Sequence, residues 1–336
     1  MKKQVIISTI VIVAIGFGIY SCNKPDNVLS PIPNYNPNAN ARLNPPRNNS
    51  NTNGTDSSGS NSGDVNYFHN NLNLAFNDVN TILGITSTRY GRRNHFKYFN
   101  LCGAKVDTSN LHTTGIIVVN YDGKTKCEPD RVTRSGQITI TSPVNNNWDS
   151  AGAYCNITFA NYKISNDFER ISLILNGTHL VTNVSGGSVS SHSEIPVVYK
   201  IQALAMSVTF EDGKERTWNS ERIATIIADS ATNHTITISE QGDTTLNGIA
   251  NTAFWGTTRS GENFSVALNN YSSNSNCGFR NPTSGNEVYT LDTNSVTITY
   301  GVTRAGSPIT SGCAYGYKEE WKTSSGVEKS DIIRYW

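Results

Sequence analysis

The sequence predicts an all-β fold: an antiparallel meander forming an elongated sheet, a sandwich or an open barrel, with one short N-terminal helix. Three observations carry this. From about residue 99 the apolar pattern has a period of two, with Thr and Ser on the alternate positions. Turn dipeptides punctuate that region: Asp122-Gly123, Asn176-Gly177, Asp212-Gly213, Gly242-Asp243 and Ser260-Gly261. Charged residues make up only 16% of the chain, and Asn, Thr and Ser take their place. That composition suits the exposed sheet surfaces of exported proteins better than helical cytosolic enzymes.

The chain opens with a basic Met1-Lys2-Lys3, followed by an uncharged apolar run from Val5 to Ile19. The run is shorter than the roughly 20 apolar residues a membrane-spanning helix needs, and reads as the core of a secretory signal peptide over 1–21. Ile19-Tyr20-Ser21-Cys22 resembles a lipobox, with an aliphatic residue at −3 and a small one at −1. The resemblance implies cleavage before Cys22, diacylation of its sulfur and acylation of the new amine. Two or three acyl chains make a stable anchor where one is marginal. Asn23 at the next position is not the Asp that commonly retains lipoproteins in the inner membrane. The expected address is therefore the outer membrane of a Gram-negative cell, on its cell-surface or periplasmic face.

Residues 22–63 comprise the lipidated Cys22 and a tether rich in Asn, Pro, Ser and Gly, as in Pro31-Ile32-Pro33-Asn34 and Ser57-Ser58-Gly59-Ser60. Apolar residues are too sparse there to offset ordering entropy, so a disordered segment is expected. At ~5–6 Å × √n it spans several nanometres, enough to clear a headgroup layer. The β-rich domain then occupies 64–336, either as one unit or as two subdomains broken near 200.

The helix is legible in Leu72, Ala75, Phe76, Val79, Ile82 and Leu83, one apolar stripe at i, i+3, i+4 and i+7 spacing. Asn70 or Asn71 can cap its start, and Gly84 fits its end. Beyond it, Ile138 and Ile140 alternate with Thr139 and Thr141. Ile171, Leu173 and Leu175 alternate with Ser172 and Asn176, interrupted by Ile174. Ile236 and Ile238 alternate with Thr235 and Thr237, and Phe264, Val266, Leu268, Val296, Ile298 and Tyr300 continue the pattern. Each reads as a half-buried antiparallel strand. Thr133-Arg134-Ser135-Gly136, Thr258-Arg259-Ser260-Gly261 and Thr303-Arg304-Ala305-Gly306 repeat one form, each expected between strands; their spacing is too irregular for a solenoid.

Of six cysteines, Cys22 is committed to lipid, leaving Cys102, Cys127, Cys155, Cys277 and Cys313. No Cys-x-x-Cys or zinc-type Cys/His spacing occurs, and an exported compartment permits disulfides. Five is odd, so at least one thiol is unpaired or pairs between chains. The expected bonds are Cys102–Cys127 and Cys277–Cys313. Cys155 alternates with Ile157 and Phe159 on a strand face, where a lone Cys behaves as a small hydrophobe.

Several of these segments together resemble a family of uncharacterised Gram-negative surface lipoproteins. They are the helix with Ala75-Phe76-Asn77-Asp78-Val79, the stretch Leu101-Cys102 to Cys127 with Arg131 to Ile140, Glu211-Asp212-Gly213-Lys214 with Thr217 to Arg222, and Cys277 to Cys313. The resemblance spans most of 67–320 and supports both cysteine pairings. It supplies no activity. Cys155 and the charged tail from Lys318 to Trp336 depart from its pattern.

The chain carries 27 Lys+Arg against 26 Asp+Glu; without Lys2 and Lys3 of the leader this becomes 25 against 26, a net charge of −1. Such balance argues against nucleic acid as a partner. Gly-x-Ser-x-Gly, Walker, His-Glu-x-x-His and EF-hand motifs are missing, and no cofactor or metal is expected. His112, His179 and His234 stand singly and are expected at the surface. Glu211-Asp212, Glu319-Glu320 and Asp167 with Glu169 are the paired carboxylates that glycoside hydrolysis would require. Glu211-Asp212 belongs to a turn, and one of Glu319 and Glu320 must point away.

Arg89 to Tyr98 is the dense basic-aromatic stretch, and its Arg92 and Arg93 could grip anionic glycan groups. Trp148, Trp218, Trp255, Trp321 and Trp336 are many for a polar β protein. Sugar-binding proteins stack rings on exposed indoles, although core Trp is commoner. Trp218, between Arg216 and Arg222 on the same strand parity, is expected to be exposed, making Trp218 and Arg222 the companions of Arg92 and Arg93 as candidate ligand contacts. Asp149-Ser150-Ala151, Asp229-Ser230-Ala231 and Asp243-Thr244-Thr245 resemble a short O-glycosylation signal, although such triplets also arise by chance in a chain rich in Ser and Thr. The expected function is thus a lipid-anchored, non-catalytic binding or structural domain. Its partners are the membrane through Cys22 and either a glycan or another envelope protein. Two alternatives accompany it: an envelope carbohydrate-active hydrolase and a barrel-type lipid carrier.

Overall fold

The structure is a computed structural model. It describes residues 101–127, 132–144, 148–166, 171–187, 195–229, 235–278, 281–291, 294–322 and 325–335, with Leu72, Ala75, Asp78, Val79 and Ile82 before them. The leader, Cys22, the tether, Phe76, Leu83, the helix caps, the Arg89–Tyr98 stretch, Asp167, Glu169, His234 and Trp336 lie outside the described residues.

Period-two patterning produces strands almost throughout. The first seven are β1 (Ala104–Asp107), β2 (Ile116–Cys127), β3 (Val132–Thr141), β4 (Ala153–Asn166), β5 (Ile171–Asn183), β6 (Val197–Phe210) and β7 (Glu215–Asp229). Then come β8 (Thr235–Gly242), β9 (Thr244–Leu246), β10 (Ile249–Thr257), β11 (Asn263–Asn274), β12 (Ser284–Leu291), β13 (Asn294–Val302), β14 (Gly316–Lys322) and β15 (Glu328–Arg334). All pairings are antiparallel, in one sheet that starts at β1 and ends at β15. Sequential neighbours pair except around β8 to β10. There β8 and β10 lie end to end between β7 and β11: β8 takes Arg222–Asp229 and Tyr271–Asn274, while β10 takes Trp218–Ser220 and Asn263–Ala267. Residue 200 falls within β6, which pairs on both sides. The charged tail supplies β14 and β15.

One face of the sheet is buried. Ile138, Ile140, Cys155, Ile157, Phe159, Leu173, Leu175, Phe264, Val266, Leu268, Val296 and Ile298 all point into it, as their alternation predicts. Leu72, Ala75, Val79 and Ile82 are helical, at most 2% exposed, and belong to the same core. Asp78, one turn along that helix, accepts a hydrogen bond from the Tyr121 hydroxyl at 2.7 Å and forms an ion pair with Arg134 of β3. Arg134 also donates to the Cys102 carbonyl at 3.2 Å, beside the Cys102–Cys127 disulfide. A second disulfide joins Cys277 and Cys313, and Cys155 is a buried free thiol.

Two expected turns are bulges inside long strands. Asp122-Gly123 lies within β2, where the Asp122 carboxylate accepts the Lys124 and Thr125 amides at 2.8 and 2.9 Å. Asn176-Gly177 lies within β5, where Asn176 pairs with Ser207 and Gly177 lies close against Met206. Thr133 to Gly136 likewise sits inside β3 rather than between strands. The reason is local: an Asn, Asp or Gly at positive φ serves a bulge as well as a hairpin. By contrast Asp212-Gly213 and Ser260-Gly261 close hairpins, and the Thr258 and Thr303 turns repeat one pair of backbone hydrogen bonds.

The bulges recur from strand to strand. Asn161, Ala205, Asn251 and Asn270 have φ between 48 and 56°, and Gly136 has φ 86°. A Cβ on Gly136 would lie 2.0 Å from the Asn161 carbonyl oxygen, so only glycine admits this approach. Two bulge amides that leave the ladder are caught by asparagine side chains on the next strand. Asn161 donates to Asn176 Oδ1 at 2.7 Å, and Ala205 donates to Asn219 Oδ1 at 2.8 Å. Asn176 and Asn219 therefore have a structural role in the sheet.

Candidate functional site

Trp218 and Arg222 are not at the surface. Both are 0% exposed, and Arg216 is 1% exposed. Shared parity holds for all three, but the shared face is the inner one. The Trp218 ring packs 5.4 Å from Phe254 and 5.2 Å from Phe264. Arg216 stacks 4.6 Å over Phe210, and Arg222 stacks 5.2 Å over Phe254 and pairs with Glu240 at 3.6 Å. Flat guanidinium–ring stacking and ion pairing make these charges tolerable inside, which a charge pattern alone does not reveal. His179, expected at the surface, is also wholly buried, edge-on to Phe159 at 5.7 Å. Burial, reinforced by the Arg222 charge, lowers its pKa to about 3 and keeps it neutral. His112 is exposed, as expected. Arg92 and Arg93 lie outside the described residues.

The paired carboxylates separate. Glu211 and Asp212, in the β6–β7 turn, both engage Arg259, at 3.0 and 3.5 Å. Glu320 binds Lys318 at 2.6 Å, while Glu319 projects to the opposite face of β14. There it stands directly across from Asp331, and burial followed by the Asp331 charge raises its pKa to about 7. Among the described residues no group of three or more His, Cys, Asp or Glu is gathered as a metal site.

The outer face carries a different arrangement. β7, β10, β11 and β12 bring one row into register: Asn219, Trp255, Ser265 and Thr290. A second row sets Thr257 opposite Asn263, and the Thr257 hydroxyl accepts the Thr217 amide at 3.0 Å. β9 and the start of β10 form a short arm beside these rows, turned by Asn247 and Gly248 at φ 50 and 82°, which places Leu246 opposite Ile249. Together they bound an open trough of about 700 Å³. Trp255 is partly exposed in it. Asn219 spends its amide on the frame, donating to the Trp255 carbonyl at 3.2 Å while receiving the Ala205 amide.

Among the described residues, none that lines the trough is charged. Two cations near the trough are held in ion pairs. Lys200 bridges Glu221 and Asp243, both at 2.8 Å, where the β9 arm departs, and Arg259 bridges Glu211 and Asp212 just past Thr257. Two signals in the sequence mark this site without having been drawn together. Asn247-Gly248 is a strong two-residue hairpin signal, and Trp255 follows it on the outward parity.

No family model, no curated protein and no solved structure matches this chain.

Proposed function

We propose that the protein is a lipid-anchored outer-membrane lipoprotein whose β domain is a non-catalytic binding module, with its ligand site in the outer-face trough around Trp255. Cys22, at the end of the signal-like leader, is the acylated residue in this reading, and the 22–63 segment is its tether. The single observation that supports the binding role is the partly exposed Trp255 among the amides and hydroxyls that line the trough. Its volume falls within the ~300–1,000 Å³ usual for small-ligand sites, which combine apolar surface with a few placed polar groups.

Two measurements test this. Palmitate labelling of the full chain in a Gram-negative host is expected for the wild type and lost in Cys22→Ser. The full chain in detergent should be retained saturably by envelope fractions, and Trp255→Ala should abolish retention while keeping the thermal midpoint within a few degrees. Undiminished retention by Trp255→Ala would remove the trough from the account.

A second reading, carbohydrate hydrolysis, draws on the Glu319–Asp331 pair. Cross-strand partners have Cβ atoms about 4.5–5.5 Å apart, and Tyr317 and Trp321 flank Glu319 on the same strand face. A carboxyl whose pKa burial raises, beside a second carboxylate, is the arrangement glycosidases use. Release of reducing ends from envelope polysaccharide, lost in Glu319→Gln, would favour it over the binding module.

A further inference from the structure

We infer that the trough takes an uncharged oligosaccharide chain laid across the strands, a ligand class that rests on the binding role proposed above. Three features converge on it. First, Trp255 lines the trough and is partly exposed, and the CH face of a pyranose ring is complementary to the flat apolar surface of an indole. Second, the neighbours able to make polar contacts are Asn247, Asn263, Ser265 and Thr290, which both donate and accept hydrogen bonds without charge. Sugar hydroxyls do the same. An anionic ligand would find no cation among the described lining residues, and Lys200 and Arg259 nearby are each held by two carboxylates. A purely apolar ligand would strand the amides and hydroxyls without partners.

Third, the site is wider than one sugar. The row from Asn219 to Thr290 crosses four strands, roughly 14 Å at ~4.8 Å per spacing. Beyond Asn219 the β6 bulge turns Leu204 outward at 73% exposure, roughly 10 Å from the Trp255 strand by the same spacing. Leu204 thus provides a second apolar patch at which a neighbouring ring of the same chain can rest. The bulge is fixed for this by the Ala205–Asn219 hydrogen bond.

The experiment is calorimetric titration of the full-length protein with uncharged glucan, mannan and xylan oligomers of increasing length, beside alginate and heparin fragments. Trp255→Ala, Trp255→Phe and Leu204→Ser are the variants, each checked by its thermal midpoint. Saturable binding of at least one uncharged series is expected. It should weaken at least about tenfold in Trp255→Ala and largely survive in Trp255→Phe. Leu204→Ser should weaken long oligomers while leaving short ones unchanged. Binding confined to the anionic fragments would overturn the ligand class. So would the absence of any oligosaccharide binding while Trp255-dependent retention on envelope fractions persists, and in both cases the binding module itself stands. Uncharged binding that ignores Trp255→Ala would overturn the site. Equal effects of Leu204→Ser on short and long oligomers would overturn the chain-length argument.

Discussion

Asn219 holds the Trp255 strand in place: its side-chain amide donates to the Trp255 carbonyl at 3.2 Å, while its oxygen accepts the Ala205 amide at 2.8 Å. One side chain therefore ties β6, β7 and β10 together beneath the trough. Asn219→Ala removes both bonds from a partly exposed position, where each is worth about 0.5–1.5 kcal/mol. A loss of about 1–2 kcal/mol in chemical denaturation is expected, together with weaker ligand binding even though Trp255 remains.

Ala205 has φ 51°, a left-handed conformation costing an L-residue about 1–2 kcal/mol. Glycine avoids that cost but adds entropy to the unfolded chain, roughly 0.4–1 kcal/mol. Ala205→Gly is therefore expected to raise the thermal midpoint slightly. A clear fall would show that the bulge does not adopt this conformation.

The Glu319–Asp331 pair gives a pH dependence. Glu319 titrates near 7 in the folded protein and near its ordinary 4.5 when unfolded. Between those values the folded state holds the extra proton on Glu319, so this group's contribution to stability falls as pH rises from about 4.5 through 7 and levels off above. The effect is on the order of 1–3 kcal/mol, reduced from the full shift because Glu319 is only partly enclosed. Buried neutral His179 acts in the opposite sense below about 6.5, so the measure is the difference between the two proteins: the urea midpoint of the wild type minus that of Glu319→Gln should decline across this range. A midpoint that rises with pH in the wild type, and falls in the variant, would contradict the pairing.

The cysteines make a separate prediction. Cys155 is buried, and burial pushes its thiol up to about 12. The native chain with Cys22 acylated should give no reactive thiol with a maleimide, and one after denaturation without reductant. Reducing either disulfide should cost about 2–4 kcal/mol.

The all-β class was readable because half-buried strands write a period of two, and the helix because Leu72, Ala75, Val79 and Ile82 share one stripe. The disulfides were readable from cysteine number and the resemblance together. What was not readable was which face a strand buries. Arg216, Trp218 and Arg222 alternate with Thr217, Asn219 and Glu221, and both sets carry polar groups. Parity fixes which residues travel together but not the side they take. Stacking of guanidinium on Phe210, across the β6–β7 turn, and on Phe254 of β10 goes with the inward side. The bulges at Gly123 and Gly177 escaped for a related reason: a dipeptide at positive φ fits a hairpin and a bulge alike. The trough itself depends on register across four strands, which no single segment encodes.

The contrast between Trp218 and Trp255 tests the central claim most directly. The paired measurement is the thermal midpoint and ligand retention of Trp218→Ala and Trp255→Ala in the full chain. Trp218→Ala opens a cavity among Phe254, Phe264 and the arginines, and should cost about 3–5 kcal/mol. Trp255→Ala should keep the midpoint within a few degrees and lose retention. Retention kept by a folded Trp255→Ala protein would contradict the assignment of the outer-face trough as the binding site.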